Sequence, residues 1–360
     1  MHLYPIRCSM VSAKLLPQVH VLGLGSIGIF AAHAIADLPE PACVTLLAHR
    51  PSLMDEYKRN DNQISLKTHQ GESIARRGYA FEFLRDNKWY AWQQESQPLH
   101  KQEIDPIHEL ILCVKSTQTV TALRPLLHRL TPTSTIMFLQ NGAGMMEDAN
   151  QHLFRDPSTR PNYITGVISH GVTLNSPFNV THTGAASTSI GLVPRNSAPR
   201  IGEATGELPQ VESHLLRQLP LVSRLNCKSY GWPGILQLQL EKLAVNAISN
   251  PLCSLADKVT AYLFTIPDIC QALISEISSV AIALPELRGV PGVAKRFSPG
   301  TLGSTVTDVF DQNRETTVSM VWDMRAHRGT EIRYINGYWS RRGRELGIPT
   351  PINHTCQRAS

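Results

Sequence analysis

One short stretch narrows the possible folds more than any other. Gln18–Leu22 reads Gln-Val-His-Val-Leu, a β-rich run, and leads directly into Gly23-Leu24-Gly25-Ser26-Ile27-Gly28. Ile29 to Leu38 then has the make-up of a helix. Alone, glycines at this spacing are a weak signal. Between a strand and a helix, at the start of an α/β pattern, they are the fingerprint of a dinucleotide-binding turn. Gly23 permits the tight turn, Gly25 lets a pyrophosphate approach the backbone, and Gly28 lets helix and strand pack closely. The helix N-terminus then faces the phosphates.

Later segments extend that pattern. Cys43–Ala48 is the next strand, and its end discriminates between cofactors. NAD sites usually place an acid there for the ribose hydroxyls. This chain has His49-Arg50, with no acid until Asp55. Arg50 would meet a 2′-phosphate that a carboxylate would repel, so NADP(H) is expected over NAD(H). Strand-like pieces follow at Ile64–Leu66 and Tyr79–Leu84, with Trp89, Tyr90 and Trp92 filling a sheet edge. Glu109–Val114 is almost continuously apolar, as a central parallel strand is, and ends in Lys115. Thr121 to Leu130 reads as helix. Thr135–Leu139 is a strand ending in Gln140-Asn141-Gly142. Open α/β sheets bind ligands at strand C-termini, which makes Lys115 and Asn141 candidate contacts. Tyr163–Val172 is a further strand, and Asn179–Leu192 alternates like a hairpin. Pro194–Gly206 reads as a loop, Glu212–Leu219 as a helix and Ser223–Asn226 as a short edge strand. Composition then turns helical, which places a domain boundary near residue 228: a tail at 1–17, an α/β Rossmann-type domain at 18–228 and an all-α domain at 229–360.

The helical part opens on a stretch with its own chemistry. In Glu241–Leu252, the residues Leu243, Ala244, Ala247 and Ile248 recur at helical spacing. Lys242, Asn246 and Asn250 fall at steps of four and share one face. A solvated polar stripe is the ordinary meaning of such a face. Here apolar flanks on both sides imply a helix buried nearly all round. A buried lysine needs an anionic partner or loses its proton, and two carboxamides beside it can donate to and accept from a substrate. Pro251 should kink or break the helix at Asn250. Further helical patterning covers Asp268–Leu287 and Val318–Glu345.

Composition limits the alternatives. A chain of 360 residues with net charge +5 has basic residues only in scattered pairs, which gives no case for nucleic-acid binding but suits an anionic cofactor and substrate. No apolar run is long enough to span a membrane. The seven cysteines are dispersed without a Cys-x-x-Cys pair, as reduced thiols of an intracellular protein would be, with no zinc site or disulfide frame. A cytoplasmic location follows. The acid-free tail, with Arg7 and Lys14, reads as a disordered segment, a mitochondrial presequence being the alternative.

Taken together, these motifs resemble the ketopantoate reductase (2-dehydropantoate 2-reductase) family over nearly the whole chain. The resemblance rests on Gly23–Gly28, Lys115, Gln140-Asn141-Gly142 and Glu241-Lys242-Leu243 with Asn246, Asn250, Pro251 and Leu252. Beyond these it rests on Ser319-Met320 with Asp323, on Thr330-Glu331-Ile332 with Tyr334-Ile335-Asn336-Gly337, and on Thr350-Pro351 with Asn353. It implies a Rossmann domain followed by a helical domain like the C-terminal domain of 6-phosphogluconate dehydrogenase, with the site in the cleft between them. It implies NADPH-dependent reduction of 2-dehydropantoate to (R)-pantoate, in pantothenate biosynthesis. Lys242 then matches the proton donor, and Glu331 an active-site carboxylate near cofactor and lysine. Asn246, Asn250 and Ser319 match substrate contacts, Asn141 and Lys115 contacts near the nicotinamide, and Arg50 the 2′-phosphate arginine. Two departures stand out: Pro194–Gly206 looks inserted, and Trp322 stands where a polar residue is common.

On this basis Glu331 is expected to hold Lys242 charged, and Ser319 to grip the distal hydroxyl of the substrate with Asn250. Ser319 and Glu331 are twelve positions apart, about 18 Å along a continuous helix, so the later helix must cross the Lys242 helix or break near Gly329. Reduction of another 2-oxo acid on the same scaffold and a non-catalytic NADPH-binding regulator are the alternatives. A homodimer is compatible with either.

Overall fold

The computed structural model describes residues 16–92, 105–195 and 211–359. The tail expectation, and residues 196–206 of the Pro194–Gly206 expectation, lie outside the described residues.

Chain order gives β1 (Gln18–Leu22), α1 (Ser26–Ile35), β2 (Cys43–Ala48), α2 (Ser52–Arg59), β3 (Ile64–Lys67), β4 (Ser73–Arg76), β5 (Ala80–Arg85), β6 (Lys88–Ala91) and β7 (Glu109–Leu112). Next come α3 (Thr119–Leu123), β8 (Thr135–Phe138), α4 (Met145–His152), β9 (Asn162–Ile168), β10 (Gly171–Ser176), β11 (Asn179–Gly184), β12 (Thr188–Val193), α5 (His214–Gln218) and β13 (Cys227–Ser229). From there on the chain is helical: α6 (Trp232–Ala256), α7 (Pro267–Ala283), α8 (Val293–Arg296), α9 (Pro299–Gln312), α10 (Ser319–Arg325), α11 (Asn336–Leu346) and α12 (Pro351–Ala359).

The main sheet runs β13-β12-β9-β8-β7-β1-β2-β5-β6. Strands β5, β2, β1, β7, β8 and β9 are parallel neighbours, while β6 and β12 pair antiparallel at either flank. From β1 the chain first builds outward through β2 to β5, and then returns to build the other way from β7. The order therefore reverses between β1 and β7, and the C-terminal ends of those two strands form the crevice where doubly wound sheets bind ligands. A second sheet, β10-β11-β3-β4, lies across α1. Covered by a sheet on each side, α1 buries every residue from Gly28 to Ile35. The chain is thus a Rossmann-type α/β domain followed by a helical domain.

Three local expectations change. Asn179–Leu192 is not a hairpin. Its two halves enter different sheets, β11 pairing with β10 and β3, and β12 with β9 and β13. Alternation reports one buried face but not the partner strand. Ser223–Leu225 is a single 3-10 turn, and the edge strand follows it at Cys227–Ser229. Thr121 to Leu130 is helical only to Leu123; Pro125 lies in a 3-10 stretch from Arg124 to Arg129. Val318–Glu345 breaks around Gly329, one of the two outcomes expected of it: α10 ends at Arg325 and the chain passes through a 3-10 turn at Ile332–Tyr334 before α11.

The largest change concerns Pro251. α6 runs unbroken from Trp232 to Ala256 with Pro251 inside it. A proline there removes the N–H that would bond the carbonyl of Ala247, four residues back. In this fold Asn336 Nδ2 donates to that carbonyl at 2.7 Å. Asn336 is fully buried and also bonds Asn353 Oδ1 at 3.1 Å, while Glu276 holds Asn353 Nδ2 at 2.8 Å. The helix continues because another helix supplies the missing donor.

Candidate active site

The glycine turn is built as close packing requires. Gly23 has φ +103°, and a Cβ there would lie 2.4 Å from Val114 N; one on Gly28 would lie 1.9 Å from Gly23 O. These two glycines weld β1, α1 and the end of β7 together. A Cβ on Gly25 would meet nothing within 4 Å, so open space lies above the N-terminus of α1. Backbone N–H groups around open space, with no acid in the first turn, suit a pyrophosphate. The Arg50 side chain is half-exposed just beyond β2, with Glu56 at 3.6 Å. A 2′-phosphate can reach such a guanidinium.

Lys115 and Ser116 follow β7 on the other side of the crevice. Lys115 Nζ donates to Asp323 Oδ2 at 2.6 Å and lies 3.7 Å from Glu331 Oε2. Glu331 Oε1 accepts from the Ser116 amide at 2.8 Å and its hydroxyl at 3.0 Å. Glu331 and Asp323 are both buried. These contacts join the sheet to the helical part at the crevice. A second join lies beside it. Gly142 has φ +96° and packs against Tyr334, whose carbonyl accepts from the Ala143 amide at 2.9 Å. Tyr334 Oη donates to Asp148 Oδ2 at 2.6 Å, which fixes that face of α4 as well.

Lys242 reaches toward the same turn from α6. Its Nζ donates to Asn141 Oδ1 at 3.0 Å and to the Ile168 carbonyl. Lys242, Asn246, Asn141 and Gln239 line one recess with Gly142, Gly166 and Val167. Burial lowers the Lys242 pKa to about 8, with the negative charge of Glu331 acting in the opposite direction. Glu331 therefore influences Lys242 through space without holding it. The expected direct pair is absent among the described residues, because Glu331 turns toward Ser116 and Lys115 while Asn141 takes the ammonium.

Asn250 follows Asn246 by one turn on α6 and is 4% exposed. Ser319, the first residue of α10, is exposed to solvent. Neither residue lines the recess around Lys242. Asp323 sits one turn after Ser319 on α10 and is the residue of that helix that Lys115 bonds. Trp322 is 53% exposed beneath the Arg325 guanidinium, 5.1 Å from its ring centre. Sequence reasoning gave no role to Asp323, Ser116, Tyr334 or Gln239. Asp323 and Tyr334 stand inside sequence motifs, but the partners that explain them lie more than 180 positions away.

A nine-stranded sheet with a glycine turn at its switch point, next to a lysine on a buried helix, defines a nicotinamide-dinucleotide-dependent oxidoreductase. The chain matches the family description Ketopantoate reductase PanE/ApbA over residues 19–195, and Ketopantoate reductase PanE/ApbA C terminal over residues 234–359. It belongs to the ketopantoate reductase family, whose members are NADP-dependent oxidoreductases. It is 27% identical to 2-dehydropantoate 2-reductase of Saccharomyces cerevisiae, over 89% of this chain and 86% of that one. It is 26% identical to Ketoisovalerate reductase BEA2 of Gibberella fujikuroi, over 89% of this chain and 77% of that one. The fold is similar to that of a dimeric ketopantoate reductase from Staphylococcus aureus, with a TM-score of 0.63 at 19% identity, covering 95% of this chain and 96% of that one.

Proposed function

We propose that this chain reduces 2-dehydropantoate to (R)-pantoate with NADPH. The observation that carries this reading is Lys242: an ammonium on a buried helix, aimed past Asn141 into the crevice, with a pKa pulled down to about 8. Bound NADPH would supply the hydride. Gly23–Gly28 and the α1 N-terminus would hold its pyrophosphate, and Arg50 its 2′-phosphate. Negative charge develops on the substrate carbonyl oxygen as the ketone is reduced. Lys242 would stabilise that charge and donate the proton, an effect worth roughly a hundred- to ten-thousand-fold in rate. Asn141 would aim the ammonium. Glu331, two groups removed, would tune its charge and hold Lys115 and Ser116 against the cofactor. Asn246 and Asn250 would orient the 2-oxo acid, and Ser319 its distal hydroxyl. A second copy of the chain is part of the proposal, in line with the dimeric Staphylococcus aureus relative.

A second reading has specific support. The Gibberella relative is named for ketoisovalerate, a 2-oxo acid without the distal hydroxyl, at an identity close to that of the yeast reductase. Trp322, exposed on the turn next to Ser319, would favour an apolar tail. Steady-state kinetics on ketopantoate and ketoisovalerate, with the natural chain and Ser319→Ala, separate the two. If ketopantoate is the substrate, Ser319→Ala weakens its use by roughly ten-fold or more and leaves ketoisovalerate unaffected, since only the hydroxyl-bearing substrate loses a partner. A natural preference for ketoisovalerate decides for the second reading, and an equal loss for both substrates removes Ser319 from recognition of the hydroxyl.

A further inference from the structure

A second cavity, of about 290 Å³, lies behind the Asn141–Gly142 turn, between α4, the end of β12 and the first turns of α6. It contains none of Lys242, Asn246, Asn250 or Ser319. Its walls mix aromatic and aliphatic groups, Trp232, Leu236, Met145 and Tyr338 among them, with charges. Arg342 and Glu286 neutralise each other through bonds of 2.8 Å to both carboxylate oxygens. Three charged groups then remain for a ligand. Arg160 places Nε on the Phe154 carbonyl at 2.9 Å and Nη2 on that of Arg155 at 3.4 Å, and Arg195 places Nε and Nη2 on Asn162 Oδ1 at 3.1 and 3.0 Å and Nη2 also on the Pro132 carbonyl, which among the described residues leaves Nη1 of each cation free to donate. Glu147 is solvent-exposed at the rim of the cavity and has no side-chain partner among the described residues.

We propose that this cavity binds a free α-amino acid with an apolar side chain, its ammonium on Glu147 and its carboxylate on Arg160 and Arg195, and that occupancy is felt at Lys242. Three facts select that chemistry. The volume is at the low end of ligand pockets, about 300–1,000 Å³, which excludes a nucleotide. A simple amine would leave two guanidinium groups unmatched, and a simple carboxylate would face Glu147; only a zwitterion answers both signs. The aromatic and aliphatic walls take an apolar side chain. Transmission to the catalytic side runs through Gln239, which lines both this cavity and the Lys242 recess. Gln239 Nε2 donates to the Gly142 carbonyl at 3.2 Å, and Gly142 follows Asn141, the acceptor of the Lys242 ammonium. A ligand that competes for Gln239 shifts that turn to the extent that it binds one arrangement better than the other.

Calorimetry on the full chain with L-leucine, 3-methylbutylamine and 4-methylpentanoate tests the site without reference to which 2-oxo acid is reduced. L-Leucine is expected to bind saturably, and the amine and the acid at least about ten-fold more weakly. Glu147→Gln should weaken L-leucine by a similar factor. Met146→Trp, which fills the cavity, should abolish binding while basal turnover and melting temperature stay near those of the natural chain. L-Leucine should change the KM or kcat of the natural chain and not of Met146→Trp. Absence of saturable binding, equal binding of all three compounds, or binding that survives Met146→Trp would overturn the site. Binding without any kinetic effect would overturn the coupling through Gln239.

Discussion

Single residues carry the chemistry, and Lys242 shows both what a sequence reveals and what it hides. Its spacing to Asn246 and Asn250, on a helix with apolar flanks, pointed to a functional ammonium. Its partner could not be read the same way. Glu331 was the obvious acid, yet the ammonium rests on Asn141 and a backbone carbonyl, and Glu331 on Ser116 and Lys115. Backbone carbonyls leave no mark in a sequence, and the choice between two acceptors is made by packing. The consequence is a lysine whose burial is only partly offset by a carboxylate at a distance, with its pKa lowered to about 8. Lys242 is charged below that value and neutral above it. Proton donation therefore predicts a plateau of kcat/KM below about pH 8 and a roughly ten-fold fall per pH unit above it. A profile flat to pH 10 would separate the proton donor from Lys242. The pH profile of Lys242→Arg, whose guanidinium does not titrate in this range, should lack the alkaline fall in whatever activity remains.

At the scale of elements, strands and helices were legible where a period was strong, and their connections less so. β1, β2, β7 and β8 and the helix at Lys242 stand where their patterns placed them. The alternation at Asn179–Leu192 could not reveal that its halves pair in separate sheets. Pro251 departs from the rule for a more instructive reason. The rule that proline breaks a helix assumes that the carbonyl it orphans has nowhere else to go. Here Asn336 reaches it from the N-terminus of α11. Loss of that donor strands a buried carbonyl, so Asn336→Ala should destabilise the chain by about 1–3 kcal/mol. Pro251→Ala restores the backbone N–H, and in that background Asn336→Ala should cost clearly less. Chemical denaturation of the four proteins gives the coupling; purely additive losses would mean that Asn336 does not act for Pro251.

Across the whole molecule, polar ties between the α/β part and the helical part gather around the crevice. Lys115 bonds Asp323, Glu331 bonds Ser116, and the Gly142–Ala143 turn rests on Tyr334. The two-part architecture was visible in the change from strand-rich to helix-rich composition along the chain. These ties were not, because each joins residues separated by about 190 positions or more. Asp323 is 3% exposed and also accepts from Arg328 Nε at 3.1 Å, so its carboxylate balances two cations. Lys115 and Arg328 keep much of their side chains in water, which limits the cost of separating them from it. Asp323→Asn should therefore lower stability by only roughly 1–2 kcal/mol, but should loosen the crevice and raise the KM for NADPH. An unchanged KM would show that Lys115 does not need Asp323 to meet the cofactor.

The central claim is that Lys242 donates the proton while the glycine turn of the other domain holds NADPH. Its most direct test pairs two readings on one variant, Lys242→Ala: NADPH binding by fluorescence titration, and steady-state oxidation of NADPH with ketopantoate. The account predicts a dissociation constant close to that of the natural chain and a turnover at least about two orders of magnitude lower, the scale of a lost general acid. Turnover near the natural value would contradict it, and so would a loss of activity that merely followed a loss of NADPH binding.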